Sequence, residues 1–369
     1  MRFLTEYRDT EKLESLYGRI SRLASGLPRL NLMEVCGTHT MTIGRAGLRR
    51  RLPENISLLS GPGCPVCVTP DSYLDAAIKL TERKNICLAT FGDMMKVPGS
   101  QGNLEERQGS EIAVVYSPLE ALEIARKTIK EVVFLAVGFE TTAPSVASVV
   151  LTAAREKIKN FSLLVAHKLI PPAMACLLQD RKVKIDGFIC PGHVSAIIGA
   201  RPYRVIAERY HRPCVIAGFE ILDVLQALVM LLVQFQEKRA AVEIQYSRCV
   251  QPAGNLRARH LMAEVFKVGD AEWRGMGVIP KSGLFLKKEY SEFDAVRRFS
   301  LQLVKSEKFT GCRCGDILKG LIAPPDCPCF GQSCTPARPK GPCMVSSEGA
   351  CAAYYRYELL PGRGKWQKS

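Results

Sequence analysis

Seven of the fifteen cysteines in this chain fall within one short stretch, at Cys312, Cys314, Cys327, Cys329, Cys334, Cys343 and Cys351. Gly315, Gly331, Gly341, Gly349 and several prolines lie between them. Such residues let a chain fold back repeatedly and bring thiols to one small centre. Three chemistries compete for this segment: disulfides, a zinc site or an iron–sulfur cluster. Disulfides belong to oxidising compartments, whereas no secretory signal is recognisable here and the remaining cysteines sit in apolar runs. Zinc favours closely paired cysteines, but Cys327, Cys334, Cys343 and Cys351 are separated by six, eight and seven residues. That wider spacing suits a 4Fe-4S cluster held by these four, leaving Cys312, Cys314 and Cys329 as spare thiols.

A second group of thiols stands near the N-terminus. Cys36 ends an apolar run, Leu30 to Val35, and opens Cys36-Gly-Thr-His-Thr40 ahead of an expected helix from Met41 to Leu52. A helix start lowers a thiol pKa through its N–H groups and dipole, which makes Cys36 a candidate thiolate ligand or nucleophile. His39 stands three residues on, placed to orient the thiol or accept its proton. The plainer alternative is a buried cysteine beside a capping Thr38. Then comes Gly61-Pro-Gly-Cys64-Pro-Val-Cys67, a CxxC loop of the kind that poises one thiol by its neighbour or chelates a metal.

These groups need a scaffold, and the pattern around them is that of parallel α/β units. Expected strands at Asn85 to Thr90, Ile112 to Tyr116, Val132 to Val137, Leu163 to Leu169, Asp186 to Cys190 and Pro213 to Ala217 alternate with helical stretches. In such sheets ligands bind beyond the carboxyl ends of the strands. Asp93, with Lys96, follows one strand, Glu140 another, His193 a third and Glu220 a fourth, so Glu140, His193 and Glu220 form a candidate acid/base set. Taken singly, each also suits a cap or a structural hydrogen-bonder. Gly138-Phe-Glu140 and Gly218-Phe-Glu220 hint at repetition. Residues 1 to 26 read as an amphipathic helix, Trp273 to Gly283 as a glycine-rich connection and Tyr290 to Leu303 as a helix.

The expected fold class is therefore α/β: two related doubly wound parallel sheets and a smaller cluster-bearing domain. The expected division is 1–30 for a helix packed on the cluster domain, 31–125 and 126–238 for the α/β domains, and 239–369 for the last. The formal charge is +15, yet its basic residues are scattered without interleaved aromatics, which argues against nucleic acid. Val224 to Phe235 is too short to cross a bilayer, so a soluble, cytoplasmic protein is expected. Neither GxxxxGK[ST] nor GxGxxG occurs, leaving nucleotide binding without support.

Taken in order, Cys36-Gly-Thr-His-Thr40, Gly63-Cys64-Pro-Val-Cys67, Thr90-Phe-Gly-Asp93, Gly138-Phe-Glu-Thr-Thr142, Pro191-Gly-His-Val-Ser195, Cys314-Gly-Asp-Ile-Leu-Lys-Gly320 and Cys343-Met-Val-Ser-Ser-Glu-Gly-Ala-Cys351 closely resemble the HypD family of nickel–iron hydrogenase maturation factors. The likeness runs from about residue 30 to residue 357. It implies two related α/β domains and a third carrying a 4Fe-4S cluster. It also implies a scaffold on which, with a HypC-type chaperone and a HypE-type cyanide donor, the Fe(CN)2CO group is assembled. Cys36 would hold that iron, with Cys64 and Cys67 as a redox pair or further ligands. Thr38 and His39 would hydrogen-bond the cyanide nitrogens, and the cluster would feed electrons through Cys312 or Cys314 and the CxxC. A different class of reading is an iron–sulfur-dependent disulfide reductase using Cys64 and Cys67, and a third is a zinc-stabilised module binding RNA.

Overall fold

The computed structural model of the protein describes residues 10–107, 109–304 and 311–359. After helix α1 (Thr10–Ala24) come strand β1 (Leu30–Glu34), helix α2 (Gly37–Arg45) and strand β2 (Ile56–Ser60). The chain then leaves through α3 (Asp71–Thr81) to build β3 (Ile86–Thr90), β4 (Glu111–Val114), α4 (Pro118–Lys127), β5 (Glu131–Gly138), α5 (Ala143–Glu156) and β6 (Phe161–His167). It returns by α6 (Ile170–Gln179) to lay down β7 (Gly187–Pro191), α7 (Gly192–Ile198), α8 (Arg204–Tyr210), β8 (Cys214–Ala217), α9 (Ile221–Gln236) and β9 (Val242–Ile244). Helix α10 (Leu256–Val265), the hairpin of β10 (Phe266–Trp273) and β11 (Gly277–Leu286), and finally α11 (Ala350–Tyr357) follow.

Both large sheets are wholly parallel, in the orders β2-β1-β7-β8-β9 and β4-β3-β5-β6. Helices cover both faces, which is why a central strand such as β5 reads Val-Val-Phe-Leu-Ala-Val with every one of those residues buried. In each sheet the first strand lies between the second and the third, so successive crossovers depart in opposite directions. The carboxyl ends of β1 and β7, and of β3 and β5, therefore flank a switch-point crevice.

Strand pairing runs across the expected boundary at 125/126. Strand β1 pairs with β7, and the second sheet is an insertion between β2 and β7. The two sheets share one strand order, but the repeated Gly-Phe-Glu does not mark it: Gly138 ends the third strand of one sheet, Gly218 follows the fourth of the other. Helix α1 lays Tyr17, Ile20 and Ala24 against α9 and β1, so its apolar stripe serves the first sheet rather than a cluster domain. Residues 1 to 9 of the expected helix lie outside the described residues.

Three other expectations change. The helix read as Met41 to Leu52 starts at Gly37, which makes Cys36 its N-cap, and breaks at Gly47, whose φ of 59° is left-handed. The stretch Trp273 to Gly283 is half of an antiparallel hairpin whose tip Gly275, φ 74°, abuts Gly315. Between Tyr290 and Leu303 the expected helix is split into the end of a 3-10 stretch, Lys288–Phe293, and one α-helical turn, Ala295–Arg298, because extended Asp294 interrupts it and caps the Val296 N–H instead. Among the described residues no helix is long and apolar enough to cross a membrane. The largest core cluster joins both sheets, the hairpin's Trp273 and Ile279, and Cys64, Cys67, Cys314, Cys327, Cys334, Cys343 and Cys351.

Candidate functional site

Strand β1 delivers Cys36 to the carboxyl edge of the first sheet, buried to 7 % exposure, with its N–H donated to Glu34 Oε2 at 2.9 Å. Thr40 donates to the other Glu34 oxygen, so one buried carboxyl ties the strand end to the first turn of α2. Burial raises the Glu34 carboxyl to about 7. Burial likewise pushes the Cys36 thiol up to about 12, despite the N–H groups of His39 and Thr38; the carboxylates of Glu34 and Glu348 add to the rise. The helix start was expected to lower this thiol, and in the protein alone desolvation outweighs it.

His39 is fully buried and burial lowers it to about 4, so the ring is neutral. Its Nε2–H donates to the Gly218 carbonyl at 2.8 Å, which leaves Nδ1 as an acceptor without a hydrogen-bond partner. The ring stacks on Phe219, and His193 stacks on Phe219 too, with centroids 3.8 Å apart. Thr38 donates its hydroxyl proton to Glu348 Oε1 at 2.8 Å, so that proton is committed within the chain. Glu348 belongs to the cysteine-rich segment, which roofs the start of α2: a Cβ on Gly37 would lie 2.4 Å from Glu348 Cβ.

The CxxC loop follows β2. Gly37 N–H donates to the Gly63 carbonyl at 3.0 Å, and a Cβ on Gly63 would fall 2.2 Å from the Cys36 nitrogen. Glycine is thus required where the two loops touch. Cys64 caps the single turn Pro65–Val68, whose Val68 carbonyl accepts the Arg274 N–H from the hairpin tip. The Cys67 thiol interacts with both Cys64 and Cys343, and Cys343 with Cys314 as well. Contacts with Cys314 and Cys67 draw the Cys343 thiol below the ordinary value, against burial; burial, with Cys343 and Cys64 beside it, pushes Cys67 up.

The terminal thiols divide by neighbour. Cys351 lies in the fields of Cys312, Cys334, Cys314 and Cys327, and Cys334 in those of Cys312 and Cys327. Cys334 Sγ already accepts the Lys340 N–H at 3.3 Å. Cys329 instead turns its thiol to the Gly311 carbonyl at 3.5 Å. Among the described residues no three His, Cys, Asp or Glu side chains stand in ready-made metal-binding geometry. The thiols are gathered, and their all-sulfur donor set fits an iron–sulfur cluster chemically.

The other expected site residues separate. Asp93 accepts from the Ser346 hydroxyl at 2.8 Å, pinning the segment that carries Glu348. Glu140 serves α6, accepting the Ile170 N–H at 3.0 Å, and Glu220 forms a capping box with Asp223 on α9. Only His193 of the expected acid/base set joins the Cys36 face. Sequence reading missed Glu34, Phe219, Glu348 and Arg274; a carboxylate two residues before the cysteine was the one available signal, and it was absorbed into an apolar strand.

A family model described as HypD, hydrogenase formation hypA family, matches residues 11–358. The chain is 46 % identical over 368 residues to hydrogenase maturation factor HypD2 of Bradyrhizobium diazoefficiens, covering 97 % of each. It is 45 % identical over 367 residues to hydrogenase maturation factor HypD of Azotobacter vinelandii, again 97 % of each. A putative hydrogenase expression/formation protein of Methanocaldococcus jannaschii is 43 % identical over 355 residues, 95 % of this chain and 99 % of its own.

Proposed function

Because the chain belongs to the HypD family of hydrogenase maturation factors, we propose that it is the scaffold on which, with a HypC-type chaperone, Fe(CN)2CO is assembled, with Cys36 as the ligand anchoring that iron substrate. One observation carries this reading: the CxxC loop is pressed against the Cys36 backbone on one side and touches Cys343 on the other. Cys36, the CxxC loop and Cys343 thus follow one another through direct contacts.

Thiolates suit a low-spin iron bearing strong-field ligands. Cys36 is protonated in the protein alone, so taking iron releases that proton. His39 offers a neutral acceptor at Nδ1, its ring fixed by the bond to Gly218. Glu34 holds the Cys36 backbone from behind, and the Glu348 roof limits water above it. A HypE-type partner would bring cyanide to this face.

A 4Fe-4S cluster, when bound, supplies electrons. We assign its ligands to Cys312, Cys327, Cys334 and Cys351 in place of the expected Cys343, because Cys351 neighbours the other three and Cys334 neighbours Cys312 and Cys327, whereas the first neighbours of Cys343 are Cys314 and Cys67; Cys314, which also neighbours Cys312 and Cys351, stands between the two groups. Cys314 and Cys343 then form a dithiol beside the Cys64 and Cys67 pair. Exchange between the pairs breaks one S–S bond as another forms and passes two electrons and two protons. All fifteen cysteines are free thiols, which suits the reducing cytoplasm proposed here. The disulfide-reductase reading rests on the Cys67 to Cys343 contact alone and has no use for Cys36.

The deciding measurement is infrared spectroscopy of the protein purified anaerobically with its HypC-type partner. The wild type should give metal-bound CN and CO bands, and Cys36→Ala should lose them. No bands in either would favour the reductase.

A further inference from the structure

Arg49 lies in the single turn Leu48–Arg51, and its side chain is only 13 % exposed. Its Nη1 pairs with Glu358 Oε1 at 2.5 Å, Glu358 being the C-cap of α11 and 6 % exposed. Nη2 donates to Ser60 Oγ at 3.1 Å and Nε to the Leu58 carbonyl at 3.4 Å. The guanidinium lies 4.4 Å from the centroid of the Tyr354 ring, on the same helix. Arg50 donates to the Glu358 backbone carbonyl at 2.8 Å.

These contacts form a buried polar chain between the two thiol groups. Ser60 stands beside Glu34 in the β1–β2 register and hydrogen-bonds its carboxyl. Glu34 in turn holds the Cys36 N–H. At the other end Glu358 and Tyr354 terminate the helix that carries Cys351, with the Cys343 carbonyl packed against Gly349 at its start. An arginine suits this place because its planar fork engages carboxylate, hydroxyl and carbonyl at once and stacks on a ring. A side chain making only surface contacts would not hold such a position, since exposed pairs contribute little.

We propose that Arg49 is a positioning residue that sets the register of the terminal cysteine segment on the Cys36 face, and with it the approach of Cys343 to Cys67. The inference rests on the scaffold reading for its purpose but not for its test. Removing Arg49 leaves Cys64 and Cys67 on one loop, so closure of their disulfide does not depend on it. Transfer between loops does.

The test uses the full chain, prepared anaerobically with its cluster. Oxidised glutathione closes the Cys64–Cys67 disulfide, reduction of Cys314 and Cys343 is held as the starting state, and acid trapping with N-ethylmaleimide followed by mass spectrometry times the passage of the disulfide from one pair to the other. In that step the Cys64–Cys67 bond breaks, a Cys314–Cys343 bond forms, and two protons move to Cys64 and Cys67. Arg49→Met should slow the passage about tenfold or more, since misplacement of roughly an ångström costs that much in reactions between fixed groups. Arg49→Lys should restore part of it, and closure of Cys64–Cys67 by glutathione should stay at the wild-type rate. Glu358→Gln, which keeps Arg49 bonded to Ser60, should slow the passage in the same direction and serves if Arg49→Met does not fold. Passage within twofold of wild type in both variants overturns the proposal. So does an equal fall in closure and passage, which would make Arg49 a general stabiliser. Missing CN and CO bands together with an Arg49-dependent passage would remove the scaffold reading and leave the positioning role standing.

Discussion

Gly63 and Cys36 meet backbone to backbone, and no side chain fits between them. Gly63→Ala should therefore cost about 1–3 kcal/mol in urea unfolding, the range for forcing an extra methyl into a packed site. It should also speed alkylation of Cys36, because the loop that yields is the one that covers it. Unchanged stability and alkylation would mean that the two loops can part freely. The same residue scale explains why Cys36 was legible and its pKa was not. Cysteine before Gly-Thr-His-Thr announces a helix N-terminus and a candidate ligand from type and order alone. Whether that thiol sits high or low depends on burial under Glu348, which is more than three hundred positions away in the chain and follows from tertiary contact.

At the scale of elements, strands and helices were readable wherever a long apolar run met a capping residue, as at β5 and at α4 with Ser117 accepting the Glu120 N–H. The hairpin β10–β11 was not, because its exposed face interleaves Lys267, Gly269 and Glu272 with a bulge between Gly269 and Ala271. Strand pairing was equally hidden: nothing in β1 or β7 says that they are neighbours. Glu140 was read as a site residue on a correct premise, the carboxyl end of a strand, but its position is filled by α6. Burial raises its carboxyl from 4.5 to about 8, with one oxygen on the Ile170 N–H. The folded state thus binds the proton more tightly than the unfolded chain. The stability this gives is fully present below about pH 4.5 and is lost as pH rises towards 8, by an amount on the order of a few kcal/mol. Glu140→Gln keeps the acceptor and cannot ionise, so its urea midpoint should fall less steeply than wild type between pH 5 and pH 8. Parallel profiles would place the Glu140 titration elsewhere.

The whole molecule is tied together by a core cluster that runs from both sheets into the hairpin and the cysteine-rich segment. Unfolding should therefore be one event. Cys87 in β3 of the inserted sheet and Cys214 in β8 of the outer one, 2 % and 0 % exposed, are natural reporters. Pulse alkylation along a urea gradient should give them the same midpoint, and two midpoints would mean that the inserted sheet opens alone.

The insertion of one sheet inside the other also orders events at the ribosome. Cys36, Cys64 and Cys67 leave it early, while their strand's partner β7 and the roofing Glu348 come much later. At about 5–20 residues per second, Cys36 waits roughly 15–60 s for Glu348. A nascent chain thus carries Cys36 long before it carries the residues that enclose it, and the site proposed to take up iron closes only once residue 348 has emerged.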